Sequence, residues 1–162
     1  MPAEPVDLSV VIPAYNESHR LPPYLASVRR HLDAEHPGRY EVLVVDDGST
    51  DGLAAVLAQV GDGWSPLRWI VHSENQGKGA AVRTGVLAAR GRLVLFADAD
   101  GATPIEEEQP LAEAIARGAD VAIGSRLLEA PGVQRSRAWA RGLAGRLFAA
   151  AARRALGLPV RD

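Results

Sequence analysis

The sequence predicts an α/β fold, Rossmann-like, with a mostly parallel central sheet and helices on both faces. Two observations lead to this prediction. Short apolar runs alternate with segments of helical periodicity along residues 8–123. The runs have apolar residues on both faces, as strands of a parallel sheet covered by helices do. A sheet of this kind binds its ligand beyond the carboxyl ends of its strands.

Five strands are expected, each from a short apolar or β-branched run. Pro13 ends the first run, because proline cannot donate to a ladder of backbone hydrogen bonds. The strands are predicted at Leu8–Ile12, Glu41–Val45, Leu67–Val71, Leu93–Phe96 and Val121–Ile123.

Four helices fill the spaces between these strands. Pro22 and Pro23 indicate the start of the first helix, since proline is tolerated in the first helical turn. The turn Gly48–Gly52 leads into the second helix, and apolar residues at helical spacing predict the others. The helices are predicted at Leu21–Leu32, Leu53–Val60, Lys78–Arg90 and Pro104–Arg117.

The composition is that of a single globular domain over residues 1–162, with 47% hydrophobic and 23% charged residues and a net charge of −2. Since the chain has no cysteine, thiol nucleophiles, cysteine-ligated zinc, iron–sulfur clusters and disulfides are excluded. No apolar stretch reaches the roughly 18 residues of a membrane span. A cytoplasmic or peripheral protein is expected.

Charge is unevenly distributed along the chain. Residues 131–162 contain seven Arg and one Asp, a balance of +6, which leaves −8 for residues 1–130. Within this segment Trp139, Leu143 and Leu147 share one face of a predicted basic amphipathic helix. That helix either lies on an anionic membrane surface or covers the core with a solvated Arg face. Few aromatics and an acidic body argue against nucleic-acid binding.

Polar residues follow four of the predicted strands, and parallel strands bring such ends to one edge of the sheet. Asp98 and Asp100 leave the fourth strand two residues apart. Carboxylates this close repel each other unless a cation is present, and Mg²⁺ prefers oxygen ligands. The alternative is a pair of turn-forming and helix-capping aspartates.

Two further sets of residues are expected at the same edge. Only one of the neighbours Asp46 and Asp47 can face a ligand, while the other caps a helix or bonds the backbone. The loop Asn75–Gly79 offers backbone N–H groups and the Lys78 ammonium to an anion, or is a simple glycine-rich helix entry. The four histidines show no metal-ligand spacing and are expected on the surface or in loops.

Five segments in order, LSVVIPAYNE, EVLVVDDGSTD, NQGKGAAVRTG, LFADADGAT and IGSR, resemble the family 2 glycosyltransferases of the GT-A fold. The resemblance covers residues 8–162. Within this family the sequence is most similar to the polyprenyl-phosphate sugar synthases, especially the dolichyl-phosphate β-glucosyltransferase branch.

The resemblance implies a nucleotide-diphosphate sugar donor, a divalent cation (Mg²⁺ or Mn²⁺) and inversion at the anomeric carbon. By that resemblance Asp100 is the main metal ligand, Asp98 lies nearer the ribose or metal, and Arg126 lies at the diphosphate as a catalytic group with both aspartates. The matched nucleotide-sugar positions also include Pro13, Ala14, Tyr15, Glu17, Val45, Asp47, Lys78 and Ala99.

The expected acceptor is a polyprenyl phosphate at the cytoplasmic face of a membrane. A lipid phosphate already has a nucleophilic oxyanion, whereas a hydroxyl acceptor needs a general base, and the sequence shows no obvious one. UDP-glucose is the favoured donor, with GDP-mannose left open. Because family members continue past Asp162, the domain is expected to be incomplete, and a domain that binds the donor without catalysis is a second hypothesis.

A third interpretation starts from the likeness of DADGAT to the D-x-D-G-T nucleophile motif of haloacid-dehalogenase-type phosphatases. That motif normally follows the first strand, and a lysine comes later in the chain. Here the segment follows the fourth predicted strand and no lysine comes after it. The phosphatase hypothesis is therefore disfavoured.

Overall fold

Four parallel strands and four α-helices alternate along residues 5–124. The structure, a computed structural model, describes residues 5–124. The strands are β1 (Leu8–Ala14), β2 (Tyr40–Asp46), β3 (Leu67–Val71) and β4 (Leu93–Phe96). The helices are α1 (Leu21–Glu35), α2 (Leu53–Gly61), α3 (Lys78–Ala88) and α4 (Glu108–Ala116), the last preceded by a 3₁₀ turn over Ile105–Glu107.

The strand order in the sheet is β3-β2-β1-β4, and all three pairings are parallel. The chain therefore runs outward from β1 to β3 and then crosses back to place β4 on the other side of β1. In doubly wound sheets this reversal opens a crevice beyond the carboxyl ends of the two strands that flank it. The predicted α/β class with a parallel sheet is confirmed.

Two apolar layers pack on the two faces of the sheet. The larger layer joins α1 and α2 to one face, with Leu25, Val28, Ile12 and Val44 fully buried. On the opposite face α3 lies very close to the strands, because a Cβ placed on Gly85 would be 2.3 Å from Cγ1 of Val11.

Helices pack on both faces of the sheet, as predicted, and among the described residues they cover β1 and β2, whose residues are all buried, more completely than the outer strands. In β4, Val94 and Phe96 are 43% and 56% exposed. They are paired with Ser9 and Val11 and so share the face on which α3 packs. Within the described residues, α3 covers β1 and β2 and leaves β4 open on this side.

Three predictions about the elements are corrected, besides shifts of one to three residues at ends of β2, α1, α2 and α3. Strand β1 continues through Pro13, which is in register with Val45. Val11 O accepts from Ala97 N, so Pro13 faces the same neighbour two residues beyond the last β1–β4 pair, where no ladder bond is lost. The single helix predicted over Pro104–Arg117 is a 3₁₀ turn followed by α4.

The third correction concerns Val121–Ile123, which form no strand in the structure. A β-branched run becomes a strand only where a neighbour accepts its backbone hydrogen bonds, and the local pattern contains no information about such a neighbour. The residues after Gly124, including the predicted basic helix, lie outside the described part of the chain. Within that part no helix is long and apolar enough to span a bilayer.

A buried carboxylate at the amino end of β2 joins α3 to the sheet. Glu41 Oε1 accepts from the hydroxyl of Ser9 at 2.6 Å and from the N–H of Arg90 at 2.7 Å, and Oε2 accepts from Nε of Arg68 at 2.8 Å. Arg68 also donates to the carbonyl of Ala88, the last residue of α3. Burial raises the pKa of Glu41, but these donors outweigh it and hold the pKa below its ordinary value of 4.5.

Candidate functional site

A cleft of about 410 Å³ lies beyond the carboxyl ends of β1 and β4, where the strand order reverses. The residues that line it follow β1, β2 and β4 or precede and begin α3: Pro13, Ala14, Tyr15, Glu17, Asp47, Asn75, Gly77, Lys78, Ala81, Asp98, Ala99 and Asp100. The position agrees with the rule for ligand sites in doubly wound sheets.

The cleft brings together nine of the residues predicted from the sequence, from Pro13 to Asp100. Val45 does not line it, because its side chain is fully buried beneath α3. Arg126 lies outside the described residues. Ala81, one turn into α3, lines the cleft and was missed, since a small helical residue has no chemical signature in the sequence.

Asp98 and Asp100 are both exposed at the mouth of the cleft. Asp98 Oδ1 accepts from the ammonium of Lys78 at 2.5 Å, a contact that the sequence did not predict. Asp100 Oδ1 accepts from the N–H of Ala102 at 3.0 Å, so it also makes the turn that the alternative interpretation expected. One oxygen of each carboxylate has no protein donor among the described residues.

Negative charge is concentrated around the two aspartates of the cleft. Burial raises the pKa of Tyr24 to about 12, with further contributions from the charges of Asp98, Glu106 and Asp100. The turn at residues 100–102, here called the aspartate turn, packs on the Tyr24 ring. A Cβ on Gly101 would lie 3.0 Å from Cδ2 of Tyr24. Gly101 has a φ of +64°, which glycine adopts without strain.

The donor set fits a hard divalent cation. The described cleft residues include four carboxylates and one ammonium, so an anionic ligand needs a cation there. No group of three metal-ligating side chains occurs within residues 5–124. Mg²⁺ and similar ions are commonly held by one or two carboxylates and complete their coordination with ligand phosphates and water. Asp98 and Asp100 match that arrangement.

Glu17 presents an unsatisfied acceptor at the cleft. Its Oε1 accepts from Arg20 at 2.6 Å, while its Oε2 is buried and has no hydrogen-bond partner among the described residues. Buried polar atoms in folded proteins are nearly always paired, and the exceptions call for an explanation. A hydrogen-bond donor on a bound ligand would satisfy this oxygen.

The loops after β1 and β2 are tied together, which fixes Tyr15 and Glu17. The backbone N–H of Asn16 donates to Ser49 Oγ at 2.9 Å, and its Oδ1 accepts from the N–H of Thr50 at 2.9 Å. Asn16 has a φ of +55°, a conformation that asparagine tolerates better than most residues. Two loops distant in sequence thus form one wall of the cleft.

Asp46 and Asp47 divide their roles as predicted, one of them bonding the local backbone. Asp46 Oδ1 accepts from the N–H of Ser49 at 2.8 Å and shapes the turn. Asp47 lines the cleft, but its carboxylate is engaged by three donors: His72, Gln76 and Gly77. The backbone N–H groups of Gln76 and Gly77, predicted as anion donors, are therefore taken by Asp47.

We predict acid sensitivity from the buried Glu41. Because its folded-state pKa is lowered, its charge stabilises the fold above the ordinary pKa, and the contribution is lost as pH falls through the folded value. The difference in unfolding free energy between the wild type and Glu41→Gln is expected to be constant above about pH 5.5 and to shrink below about pH 4.5. Urea titrations from pH 3 to 7 measure it.

The exposed Asp62 provides the matched control for this titration, because Asp62→Asn changes a carboxylate that makes no ion pair among the described residues. Its difference from the wild type should stay small at every pH. A Glu41→Gln difference that grows on acidification would contradict the prediction.

The prediction that all four histidines lie on the surface or in loops is wrong for His31, a helical residue whose side chain is 8% exposed. His72 does lie in a loop, directly after β3, although its side chain is also only 8% exposed. His31 belongs to α1, and its Nε2 lies 3.3 Å from Oε1 of the buried Glu108 in α4. His36 Nε2 contacts the same oxygen at 3.0 Å. Spacing could not reveal this cluster, since Glu108 lies more than 70 residues from both histidines.

Comparison with known proteins identifies relatives for most of the chain. The family model described as "Glycosyl transferase family 2" matches residues 9–152. A Drosophila melanogaster protein named dolichyl-phosphate beta-glucosyltransferase is 43% identical over 75% of this chain and 41% of its own length. A Saccharomyces cerevisiae protein of the same name is 41% identical over 70% of this chain and 36% of its own length. The chain thus spans less than half of these relatives.

Two solved structures share the fold. S. aureus TarS 1–349 in complex with UDP-GlcNAc is 27% identical with a TM-score of 0.58, over 69% of this chain and 32% of that one. The mannosyltransferase PcManGT from Pyrobaculum calidifontis in complex with GDP-Man and Mn²⁺ is 28% identical with a TM-score of 0.53, over 61% of this chain and 29% of that one. The predicted GT-A fold is confirmed.

Proposed function

The chain belongs to glycosyl transferase family 2, and from this premise we propose that it transfers glucose from UDP-glucose to a polyprenyl phosphate of the dolichyl type. Mg²⁺ or Mn²⁺ would be held by Asp98 and Asp100. The name of the curated relatives supports the sugar and the acceptor, and the complexes of the solved neighbours support a nucleotide sugar and a divalent cation.

The observation on which the proposal depends most is the cleft at the topological switch, where residues from separate strand ends meet. One wall offers apolar and aromatic surface from Pro13 and Tyr15 together with the unsatisfied Glu17 oxygen. The other end offers the Asp98 and Asp100 carboxylates. A nucleoside has apolar faces and hydroxyl donors, and a diphosphate needs a cation beside carboxylates, so a nucleotide-diphosphate sugar matches both ends.

The proposed reaction is a displacement at the anomeric carbon. A phosphate oxygen of the acceptor forms the new C–O bond, the bond to the nucleoside diphosphate breaks, and that group leaves with the electron pair. No proton has to move, so no general base is required. The cation, when bound, stabilises the negative charge that develops on the diphosphate. The Lys78 ammonium contacts Asp98 and is proposed to move from that carboxylate to the departing nucleoside diphosphate.

The acceptor and its location are further parts of the proposal. Residues 131–162 hold seven Arg and one Asp, a charge that suits an anionic lipid surface and a lipid phosphate. Arg126 is proposed to contact the diphosphate, on the strength of the sequence resemblance. We place the reaction at the cytoplasmic face of a membrane.

A second candidate uses GDP-mannose, and the P. calidifontis mannosyltransferase complex favours it. Its identity to this chain is 28%, against 43% and 41% for the two glucosyltransferase relatives, so glucose stays the first choice. A domain that binds the nucleotide sugar without transfer is the third candidate, because the chain spans only 41% of the first relative.

We expect UDP-glucose with Mn²⁺ to raise the melting temperature and to bind in calorimetry. A ligand at 100 times its Kd stabilises the folded state by about 2.7 kcal/mol, which a thermal shift detects. The panel is UDP, UDP-glucose, GDP and GDP-mannose, each with Mn²⁺, with Mg²⁺ and with a chelator. Radiolabelled transfer to dolichyl phosphate then follows for the donor that binds.

Each result selects one candidate. Metal-dependent binding of UDP-glucose with transfer supports the proposal, and a response to guanine nucleotides alone selects the mannosyl candidate. Binding without transfer selects the non-catalytic domain. If no nucleotide binds at concentrations up to several millimolar, the proposed donor site is wrong.

A further inference from the structure

His72 occupies a buried position directly after β3 and makes a hydrogen bond with each ring nitrogen. Nδ1 lies 2.7 Å from Oδ1 of Asp47, and Nε2 lies 3.0 Å from the hydroxyl of Thr84 in α3. An ionised carboxylate only accepts hydrogen bonds, so Nδ1 must have the proton. Nε2 accepts from the Thr84 hydroxyl when the ring is neutral and donates to its oxygen when the ring is charged. The backbone N–H of His72 donates to the carbonyl oxygen of Asp46 at 2.8 Å, which fixes the backbone from which the imidazole extends.

Asp47 connects this histidine to the loop that precedes α3. Besides His72, its Oδ1 accepts from the N–H of Gln76 at 3.0 Å, and its Oδ2 accepts from the N–H of Gly77 at 2.8 Å. Burial raises the pKa of Asp47, but these donors outweigh it and hold the pKa below its ordinary value. The carboxylate is therefore charged, and both of its oxygens are engaged in holding the loop.

The loop is also pressed against the backbone after β2. A Cβ on Gly48 would lie 2.5 Å from the carbonyl carbon of Glu74 and 2.7 Å from the nitrogen of Asn75. Only glycine permits this approach, and its φ of +75° adds to the requirement. Gly48 and the Asp47 carboxylate thus hold the segment from Asn75 to Lys78 in one position.

The segment held in this way forms one side of the cleft. Asn75, Gly77 and Lys78 line it, and Lys78 reaches Asp98 across it. His72 itself is absent from the lining. We propose that His72 is a positioning residue, which orients the Asp47 carboxylate so that the Asn75–Lys78 segment keeps the shape that receives the nucleotide diphosphate. The ligand part of this inference rests on the function proposed above.

The order carboxylate, imidazole, hydroxyl also suggests a nucleophilic triad with Thr84 as nucleophile. The geometry argues against it. Neither Thr84 nor His72 lines the cleft, and a triad carboxylate serves the histidine, whereas Asp47 bonds two backbone N–H groups as well. The connection therefore ends at the loop rather than at a substrate.

Two amide replacements of His72 test the proposal. In His72→Asn the amide N–H₂ replaces Nδ1 and can still donate to Asp47, whereas in His72→Gln the amide reaches the position of Nε2 and contacts Thr84 instead. Both replace the ring with a neutral amide, so they differ mainly in which neighbour they reach. His19→Asn changes an exposed histidine and is the control.

The first measurement is amide hydrogen exchange of Gln76 and Gly77 in the full chain without ligand. The loss of one hydrogen bond to a charged group corresponds to roughly tenfold, so His72→Gln should speed exchange at both amides about tenfold. His72→Asn and His19→Asn should stay within about twofold of the wild type. Equal exchange in the Gln and Asn variants would overturn the proposal.

The second measurement is calorimetric affinity for UDP-glucose with Mn²⁺. At a temperature where every variant is folded, His72→Gln should bind about tenfold more weakly than the wild type, and His72→Asn should bind as the wild type does. If the wild type binds UDP-glucose and His72→Gln binds equally well, the positioning role is wrong. If the wild type binds no nucleotide, the proposed function fails, and the amide exchange still decides whether His72 holds the loop.

Discussion

Replacement of Asp100 by asparagine is expected to weaken UDP-glucose binding in Mn²⁺ by at least about 100-fold. Loss of an outer-shell partner typically costs about 10–100-fold in metal affinity, and Asp100 is proposed as a direct ligand. The neutral amide keeps the shape and can still accept from Ala102 N, so the aspartate turn survives. Calorimetry of donor with Mn²⁺, repeated with a chelator, gives the affinity.

The control is Asp62→Asn, which removes one carboxylate at an exposed position after α2, on the side of the sheet where β3 begins. Its donor affinity should equal that of the wild type. Asp100→Asn is expected to have no more residual affinity with Mn²⁺ than the wild type has with chelator. Unchanged affinity in Asp100→Asn would show that the cation is not held there.

Glu41→Ala is expected to lower the free energy of unfolding by about 3 kcal/mol. Removing one partner of a buried ion pair leaves the other charge uncompensated, and such changes typically cost 3–5 kcal/mol. The lower end applies because Arg68 is 30% exposed and can turn toward water. The Ser9 hydroxyl also loses its 2.6 Å acceptor. Urea denaturation at pH 7, followed by circular dichroism, measures the change.

Two variants bracket this result. Glu41→Gln keeps an acceptor oxygen for Ser9 and the Arg90 N–H, and is expected to fall between the wild type and Glu41→Ala. Glu113→Ala removes an exposed carboxylate that lies 3.4 Å from Arg117, and should leave stability unchanged, since exposed pairs contribute little. Equal stability of Glu41→Ala and Glu113→Ala would refute the assignment of Glu41 as the link between α3 and the sheet.

The strands and their ends could be predicted because apolar runs are local signals. Leu67–Val71 and Leu93–Phe96 have the predicted bounds, and Asp98 follows the fourth strand as expected. Where a boundary was wrong, the decisive contact was distant. Pro13 stays in its strand because β4 has already ended beside it, which no reading of residues 8–13 could reveal.

The residues of the cleft could be predicted from the sequence, but the hydrogen bonds between them could not. Resemblance of short motifs indicated Asp47, Lys78 and Asp98, yet gave no sign that Lys78 contacts Asp98, 20 residues away. His72 lies 25 residues from Asp47 and shows no motif of its own. Hydrogen bonds of this kind depend on how loops from different strands meet, and single-sequence patterns describe only what is near along the chain.

Because Gly85 has no side chain, the backbone of α3 packs directly on the sheet at this residue. Gly85 touches Val11 and Val45, and seven residues earlier the same helix begins with Lys78 at the cleft. At 1.5 Å per residue, Lys78 and Gly85 are about 10 Å apart along the helix axis. Because a helix is rigid, a tilt at Gly85 would displace Lys78 in the first turn. The position of the Lys78 ammonium therefore depends on how α3 packs on the sheet as well as on the contacts in the cleft.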